Sequence, residues 1–169
     1  MNIRIKNSVT GGAVLLLSVL SAGTYAATDS TSFQVKLTVT STCDIHSVAA
    51  TDVDFASHVS TDTDMTAQGG LTVNCTNGTP YNIGLDKGGN YASGHRNMKN
   101  AATSALVGYE LFRDSAMGEA WGNTVGTDTL EGTGTGGNQA LPVYGKVITA
   151  GANLKAGDYV DDVTATVTY

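Results

Sequence analysis

The sequence predicts an all-β protein, folded as a β-sandwich with one open edge. Segments in which apolar and polar residues alternate recur along the chain, and turns rich in Gly, Thr and Asn separate them. After the first residues, no segment repeats apolar residues at helical spacing over three turns. About six strands follow an opening strand, which is typical of a single sandwich domain.

Residues 1–26 have the features of a signal peptide. Arg4 and Lys6 form a positive n-region, residues 13–20 form an apolar h-region, and small residues precede a predicted cleavage site before Ala27. The apolar run is too short to cross a bilayer core of about 30 Å as a helix. We therefore expect an exported protein that is not inserted in the membrane.

The clearest alternation lies in residues 33–40, which follow a polar lead-in. One face of this strand would carry four apolar side chains, Phe33, Val35, Leu37 and Val39. The pattern fits two interpretations. The segment is either the ordinary first strand of the sandwich, or a strand that is donated to a neighbouring copy.

Further strands are predicted from alternation in several later segments. They are residues 41–45, 71–75, 81–85, 105–113, 141–148 and 157–169, with a short piece at Val53 and Phe55. Residues 71–85 predict a hairpin or a pair in facing sheets, and residues 91–103 read as irregular. Residues 122–139 predict a long surface excursion with room for weak edge strands, and Pro142 favours an edge position or the first residue of its strand.

The last strand runs to the final residue, so the sandwich is expected to have an exposed edge. Long apolar edges recruit other chains unless they are covered or blunted. A detached strand at one end and a bare strand at the other favour the donated-strand interpretation.

Charge and cysteine content restrict the possible partners and compartment. The net charge is −6 and the nine basic residues are scattered, which excludes nucleic acid and anionic membranes as expected partners. In an exported protein the two cysteines, Cys43 and Cys75, predict a disulfide that contributes about 3.5 kcal/mol by loop closure. The alternative is a pair of free buried thiols.

Other candidate sites lack the spacing that their chemistry requires. Residues 132–137 match a dinucleotide-binding pattern but precede no helical run. The three histidines, His46, His58 and His95, lack the close spacing of a metal site. The acidic cluster near the C-terminus, Asp158, Asp161 and Asp162, lacks the Gly and Glu of a calcium loop. Trp121 is expected in the core rather than in a sugar site. We expect no catalytic, cofactor or metal site.

Short motifs spread over the mature chain match a known family. They are DF at 54–55, GLTVNC at 70–75, PYNI at 80–83, RNM at 96–98, YELFRD at 109–114, WG at 121–122, VYG at 143–145 and GDYVDD at 157–162. With the alternating strand before Cys43, they make the chain resemble the spore coat protein U-like domain, the subunit family of archaic (Csu-type) chaperone–usher pili. Ala56 departs from the family, which often has Gly after Asp-Phe.

The resemblance implies an incomplete immunoglobulin-like β-sandwich that lacks its final strand. Residues 27–40 would then be an N-terminal donor strand extension, and residues 41–169 the pilin domain. In such pili a periplasmic chaperone lends the missing strand first, and the extension of the next subunit replaces it at the outer-membrane usher. The donor side chains would be Phe33, Val35, Leu37 and Val39, and the Cys43–Cys75 disulfide would join the first two strands.

The expected function is therefore a structural pilus (fimbrial) subunit, polymerised by donor-strand exchange and supporting adhesion and biofilm formation. Such a subunit is exported to the periplasm and then displayed on the cell surface, with neighbouring copies of itself or related pilins as partners. No cofactor is expected, because completion of the fold drives assembly. The alternative is a secreted, self-folding carbohydrate-binding or spore/cell coat protein.

Overall fold

The computed structural model describes residues 23, 25–149 and 153–169 of the chain. Most of the predicted signal peptide, residues 1–26, lies outside the described residues. The chain divides into two units, Met1–Leu37 and Thr38–Tyr169. In the first unit, the described residues contain no helix and no strand.

The second unit is all-β, and its described residues contain no helix. Most of the predicted alternating segments contain a strand. The strands are β1 Cys43–Asp44, β2 Thr66–Cys75, β3 Pro80–Leu85, β4 Arg96–Asn100, β5 Leu106–Phe112, β6 Leu130–Thr133, β7 Asn138–Val147, β8 Tyr159–Val160 and β9 Ala165–Thr168. Of these, β4 and β6 lie in segments that were not predicted as regular strands.

The strands form two antiparallel sheets that enclose one main core. The larger sheet has the order β1-β2-β7-β5-β4-β8, and the smaller has the order β6-β3-β9. The core contains buried residues, most of them from strands of the two sheets: Val73, Cys75, Tyr81, Ile83, Leu85, Tyr109, Leu111, Trp121 and Val143. Trp121 is fully buried, and its Nε1 donates a hydrogen bond to the Ile83 carbonyl at 2.8 Å. Trp121 is therefore a core residue, as predicted.

Residues 71–85 form a pair in facing sheets rather than a hairpin within one sheet. β2 belongs to the larger sheet, and β3 belongs to the smaller one. The prediction that residues 91–103 are irregular is wrong, because they contain β4. The alternation of apolar and polar residues in β4 is broken because the buried residue Asn97 is polar. Its Nδ2 donates to three main-chain carbonyls, which satisfies the buried amide.

Pro142 lies inside β7, between β2 and β5 in the strand order, yet its position is locally an edge. β7 pairs with β5 only from Tyr144 to Val147, whereas Pro142 is paired on one side only, with Gly70 of β2. A missing N–H therefore costs no ladder hydrogen bond on the β5 side at this point.

The prediction of one continuous strand over residues 157–169 is wrong. β8 pairs with β4 in the larger sheet, and β9 pairs with β3 in the smaller sheet. Residues 161–164 between them belong to no strand, and we call them the crossover. The alternation continues through the crossover, so sequence pattern alone does not reveal the change of sheet.

Candidate functional site: an open cleft beside β9

A cleft of about 480 Å³ opens in the second unit, between the crossover and the segment that precedes β2. Two chain segments bound it, residues 50–55 on one side and residues 159–165 on the other. Side chains of the core form its base: Leu85, Met98, Tyr109, Leu111 and Val143. The cleft therefore lies directly over the main core, and its partly buried lining residues, such as Leu71, Met98 and Val163, pack against that core.

One wall of the cleft continues into β9, which is an edge strand. β9 is paired with β3 alone. Thr164 directs its amide and carbonyl toward the β3 side, where they bond to Asp86. Backbone N–H and C=O groups of successive residues point to opposite edges of a strand. Those of Val163, Ala165 and Val167 therefore point to the open side. Their side chains are half-buried against the core, so the edge offers both hydrogen-bonding groups and apolar surface.

The opposite wall is held to the larger sheet by one bridge and by close packing. Thr51 and Gly70 exchange two backbone hydrogen bonds of 2.9 and 3.1 Å. A Cβ at Gly145 would lie 2.5 Å from Val53 Cγ1 and 2.9 Å from Phe55 Cζ, so these side chains cover a glycine. The predicted short strand at Val53 and Phe55 is not formed, because the pairing is limited to Thr51.

The wall turns away from the cleft at Ala56, the residue at which the sequence departs from the resemblance. Ala56 has a φ of 58°, in the left-handed region that favours glycine. Its amide donates to the Asp54 carboxylate at 2.8 Å, which compensates part of the conformational cost. The turn is thus formed with alanine at this position.

The crossover is held by the turn that follows β3 and by one core tyrosine. The Tyr109 hydroxyl donates to Asp161 Oδ2 at 2.7 Å. The backbone amide and side-chain amide of Asn90 donate to Asp161 Oδ1 at 3.1 and 2.8 Å. Asp86 Oδ1 accepts the amides of Gly88 at 2.9 Å and Thr164 at 3.0 Å.

These contacts shift the titration of two groups. Burial, and then the hydrogen bond to Asp161, raise the pKa of Tyr109 far above its usual value, so its hydroxyl remains a donor. Burial alone would raise the pKa of Asp86, but hydrogen bonds from Gly88 and Thr164 and the charge of Arg96 outweigh it. The pKa of Asp86 is therefore held below its usual value.

The predicted donor side chains lie in solvent. Phe33, Val35, Leu37 and Val39 are 84%, 88%, 87% and 72% exposed, and residues 25–42 form no strand. The first three belong to the first unit and Val39 to the second. Four apolar side chains at every second position are therefore exposed together in this segment.

The Cys43–Cys75 disulfide is present and joins β1 to β2, with Cys75 fully buried. The bond closes the edge of the larger sheet at the point where the second unit begins its first strand. The alternative of two free thiols is therefore wrong for this structure.

The other candidate residues are not brought together. Each histidine has its own carboxylate neighbour: His46 with Asp44, His58 with Asp62, and His95 with Glu110. Within the described residues, no group of three or more His, Cys, Asp or Glu side chains is placed to hold a metal. Residues 132–137 form the end of β6 and the turn to β7.

Sequence reasoning missed the bonds of Asp161 and Asp86. Asp161 stands in the motif GDYVDD, and its hydrogen-bonding partners are Tyr109 and Asn90. The Tyr159 hydroxyl donates to the Lys155 carbonyl. The described part of the chain contains no helix that is long and apolar enough to span a membrane.

Comparisons with known proteins agree on the family and the fold. The family model of the Spore Coat Protein U domain matches residues 29–166. Protein U of Myxococcus xanthus is 38% identical over 112 residues, which cover 63% of this chain and 62% of that protein. The chain thus spans less than two thirds of this relative's length.

A solved structure has a similar fold. It is one chain of the CsuC–CsuE chaperone–tip adhesion subunit pre-assembly complex from archaic chaperone–usher Csu pili of Acinetobacter baumannii. The TM-score is 0.58 at 23% identity, over 78% of this chain and 41% of that chain. This likeness confirms the predicted incomplete immunoglobulin-like sandwich. Because the family model covers most of the sequence, the chain belongs to the Spore Coat Protein U domain family.

Proposed function

We propose that this protein is a structural pilus subunit that polymerises by donor-strand exchange. The observation that carries the proposal is the open edge of β9 beside a cleft that is lined by partly buried apolar residues of the core. An added strand would pair with the free backbone groups of Val163, Ala165 and Val167 and cover the cleft. Family membership and the fold of the solved Csu pilus complex support this role.

The added strand would come from residues 27–40 of a neighbouring copy or a related pilin. Its apolar side chains, Phe33, Val35, Leu37 and Val39, recur at every second position, as a strand entering a half-covered core requires. Residues 33–40 would extend about 26 Å, which matches an edge running from the crossover to the end of β9.

The free energy available from this insertion is large. At roughly 1.5–3 kcal/mol for each buried apolar side chain, four of them would contribute about 6–12 kcal/mol as an upper estimate. Backbone pairing along β9 adds to this sum. Neither a nucleotide nor another cofactor is required, and the proposed role includes no enzymatic activity.

Before assembly the cleft would be covered by a strand of a periplasmic chaperone, and exchange would occur at an outer-membrane usher. The solved relative is described as a chaperone–tip adhesion subunit pre-assembly complex, which supports a chaperone as partner. The proposal thus includes export through residues 1–26, display on the cell surface, and a contribution to adhesion and biofilm formation. In the pilin domain, residues 41–169, the cleft is the acceptor.

A second candidate is a secreted coat protein that folds alone. The 38% identity to Protein U and the family description favour it. Such a protein, or a carbohydrate-binding domain of this fold, would remain monomeric and would tolerate charge on either face of residues 33–40. A pilin would not.

The experiment compares one added charge on the two faces of the donor segment. Leu37→Asp places a carboxylate on the apolar face, and Thr38→Asp places it on the polar face one residue away. We expect Leu37→Asp to abolish heat-resistant polymers in unboiled gels of cell-surface extracts, because burying an unpaired carboxylate is strongly unfavourable. Thr38→Asp is expected to retain them.

Val35→Asp repeats the test at a second apolar position and is expected to abolish polymers as well. Both apolar-face variants are expected to form the chaperone complex, since that complex uses the acceptor cleft only. Polymers at wild-type yield in Leu37→Asp and Val35→Asp would contradict the donor assignment.

A further inference from the structure

The crossover, residues 161–164, forms a wall of the cleft although no sheet ladder holds it. Val163 is half-buried there and packs against the core beside open space. Apolar side chains that border an empty groove gain contacts if the groove narrows. A wall that keeps its position therefore requires fixed attachments.

The attachments come from two carboxylates and the turn at residues 86–90. Asp161 is bonded through both of its oxygens, to the Tyr109 hydroxyl and to Asn90. Asp86 bonds the amide of Thr164, and the Asp86 amide donates to the Thr164 carbonyl at 3.0 Å. The Gly89 amide donates to the Asp162 carbonyl at 3.2 Å.

The turn is shaped around the Asp161 carboxylate. Gly88 has a φ of 73°, and a Cβ at this position would lie 2.0 Å from Asp161 Oδ2. A side chain at residue 88 would therefore displace the carboxylate. Tyr109 lines the base of the cleft while its hydroxyl reaches the wall, so one residue links base and wall.

We propose that Tyr109, Asp161 and Asp86 form a clamp that fixes the crossover at a set distance from the base of the cleft, so that the acceptor edge is formed before a strand enters. This inference rests on the proposed function and names the positioning residues of its acceptor site. A preformed groove lowers the ordering cost of binding, so loss of the clamp weakens strand capture.

The test measures capture of a synthetic peptide of residues 29–42, labelled with a fluorophore, by fluorescence polarisation. The acceptor is the full mature chain carrying Leu37→Asp, which disables its own donor face. Tyr109→Phe in this background removes one hydroxyl and keeps the ring. We expect peptide affinity to fall about tenfold, as is typical for loss of a hydrogen bond to a charged group. Asp161→Asn is expected to weaken capture as well.

Tyr81→Phe is the matched control. Tyr81 is also a buried core tyrosine, but the end of its ring lies over Gly132 of β6, away from the cleft. Its variant is expected to capture the peptide as the parent does. Emission of the fully buried Trp121 reports whether each variant is folded.

Amide exchange in the peptide-free acceptor supplies a readout that does not depend on donor binding. The amides of Asn90 and Thr164 donate to the clamp carboxylates. We expect their exchange to be about tenfold faster in Tyr109→Phe and unchanged in Tyr81→Phe.

If Tyr109→Phe binds the peptide as tightly as the parent does, and its amides exchange at the parent's rates, the clamp is overturned. If the parent itself fails to capture the peptide, the proposed function fails, and the exchange rates alone then decide the clamp. Unfolding of Tyr109→Phe and Asp161→Asn under conditions where Tyr81→Phe is folded would also overturn it, because these residues would then act on the whole fold.

Discussion

The Asp54 carboxylate accepts the amide hydrogen bond of Ala56 at 2.8 Å, in a turn where Ala56 has a φ of 58°. This turn ends one wall of the acceptor cleft. The side chain of Ala56 is exposed, so the free-energy cost of alanine at this position comes from its backbone conformation and not from packing.

Ala56→Gly is expected to stabilise the fold. The left-handed conformation costs an L-residue about 1–2 kcal/mol, and the greater freedom of glycine in the unfolded chain offsets roughly 0.5–1 kcal/mol of the gain. We expect an increase in Tm of about 2–4 °C, measured through Trp121 fluorescence. Ala116→Gly, at an exposed alanine without positive φ, should not raise Tm. An unchanged or lower Tm for Ala56→Gly would contradict the turn geometry.

Much of this architecture could be predicted from the sequence, because half-buried strands alternate with period two. The sheet strands around Val73, Ile83 and Leu111 follow that pattern. β4 was missed because buried Asn97 replaces an apolar residue, and the break at Asp161 was missed because alternation persists while the hydrogen-bonding partner changes. The Cys43–Cys75 bond was predictable because two cysteines leave one pairing.

Gly145→Ala is expected to displace the wall formed by Val53 and Phe55. The added Cβ would lie 2.5 Å from Val53 Cγ1, so the segment must shift or the core must expand. We expect a loss of about 1–3 kcal/mol in the free energy of unfolding, as for other overpacked sites, measured by denaturant titration. Gly137→Ala, where no heavy atom lies within 4 Å, is the control. Equal stability of both variants would show that Val53 and Phe55 do not cover Gly145.

The lowered pKa of Asp86 predicts a stability loss in acid. A carboxylate with a folded pKa below its unfolded value of 3.8 contributes stability above that value and loses it as pH falls through the folded pKa. The Tm should therefore fall below about pH 4, and Asp86→Asn should be less stable than wild type at neutral pH and show less of this acid dependence. Asp158→Asn, at an exposed position, is the control. Parallel profiles for wild type and Asp86→Asn would argue against the bonds to Gly88 and Thr164.

Reduction of the Cys43–Cys75 disulfide is expected to lower the free energy of unfolding by about 2–4 kcal/mol, because the reduced unfolded chain gains entropy. Denaturant titrations with and without dithiothreitol measure the difference. A variant in which both cysteines are replaced by alanine should not respond to the reductant. If wild type is equally stable in both conditions, the bond does not contribute to this fold.

The central claim is that a strand from a neighbouring copy completes the sheet at β9. The most direct measurement is a cryo-electron microscopy structure of the polymer isolated from the cell surface. We predict a strand beside β9, carrying Phe33, Val35, Leu37 and Val39 of the adjacent subunit into the cleft between residues 50–55 and the crossover. A polymer in which the β9 edge is unpaired, or is covered by the subunit's own residues 27–40, would contradict the account.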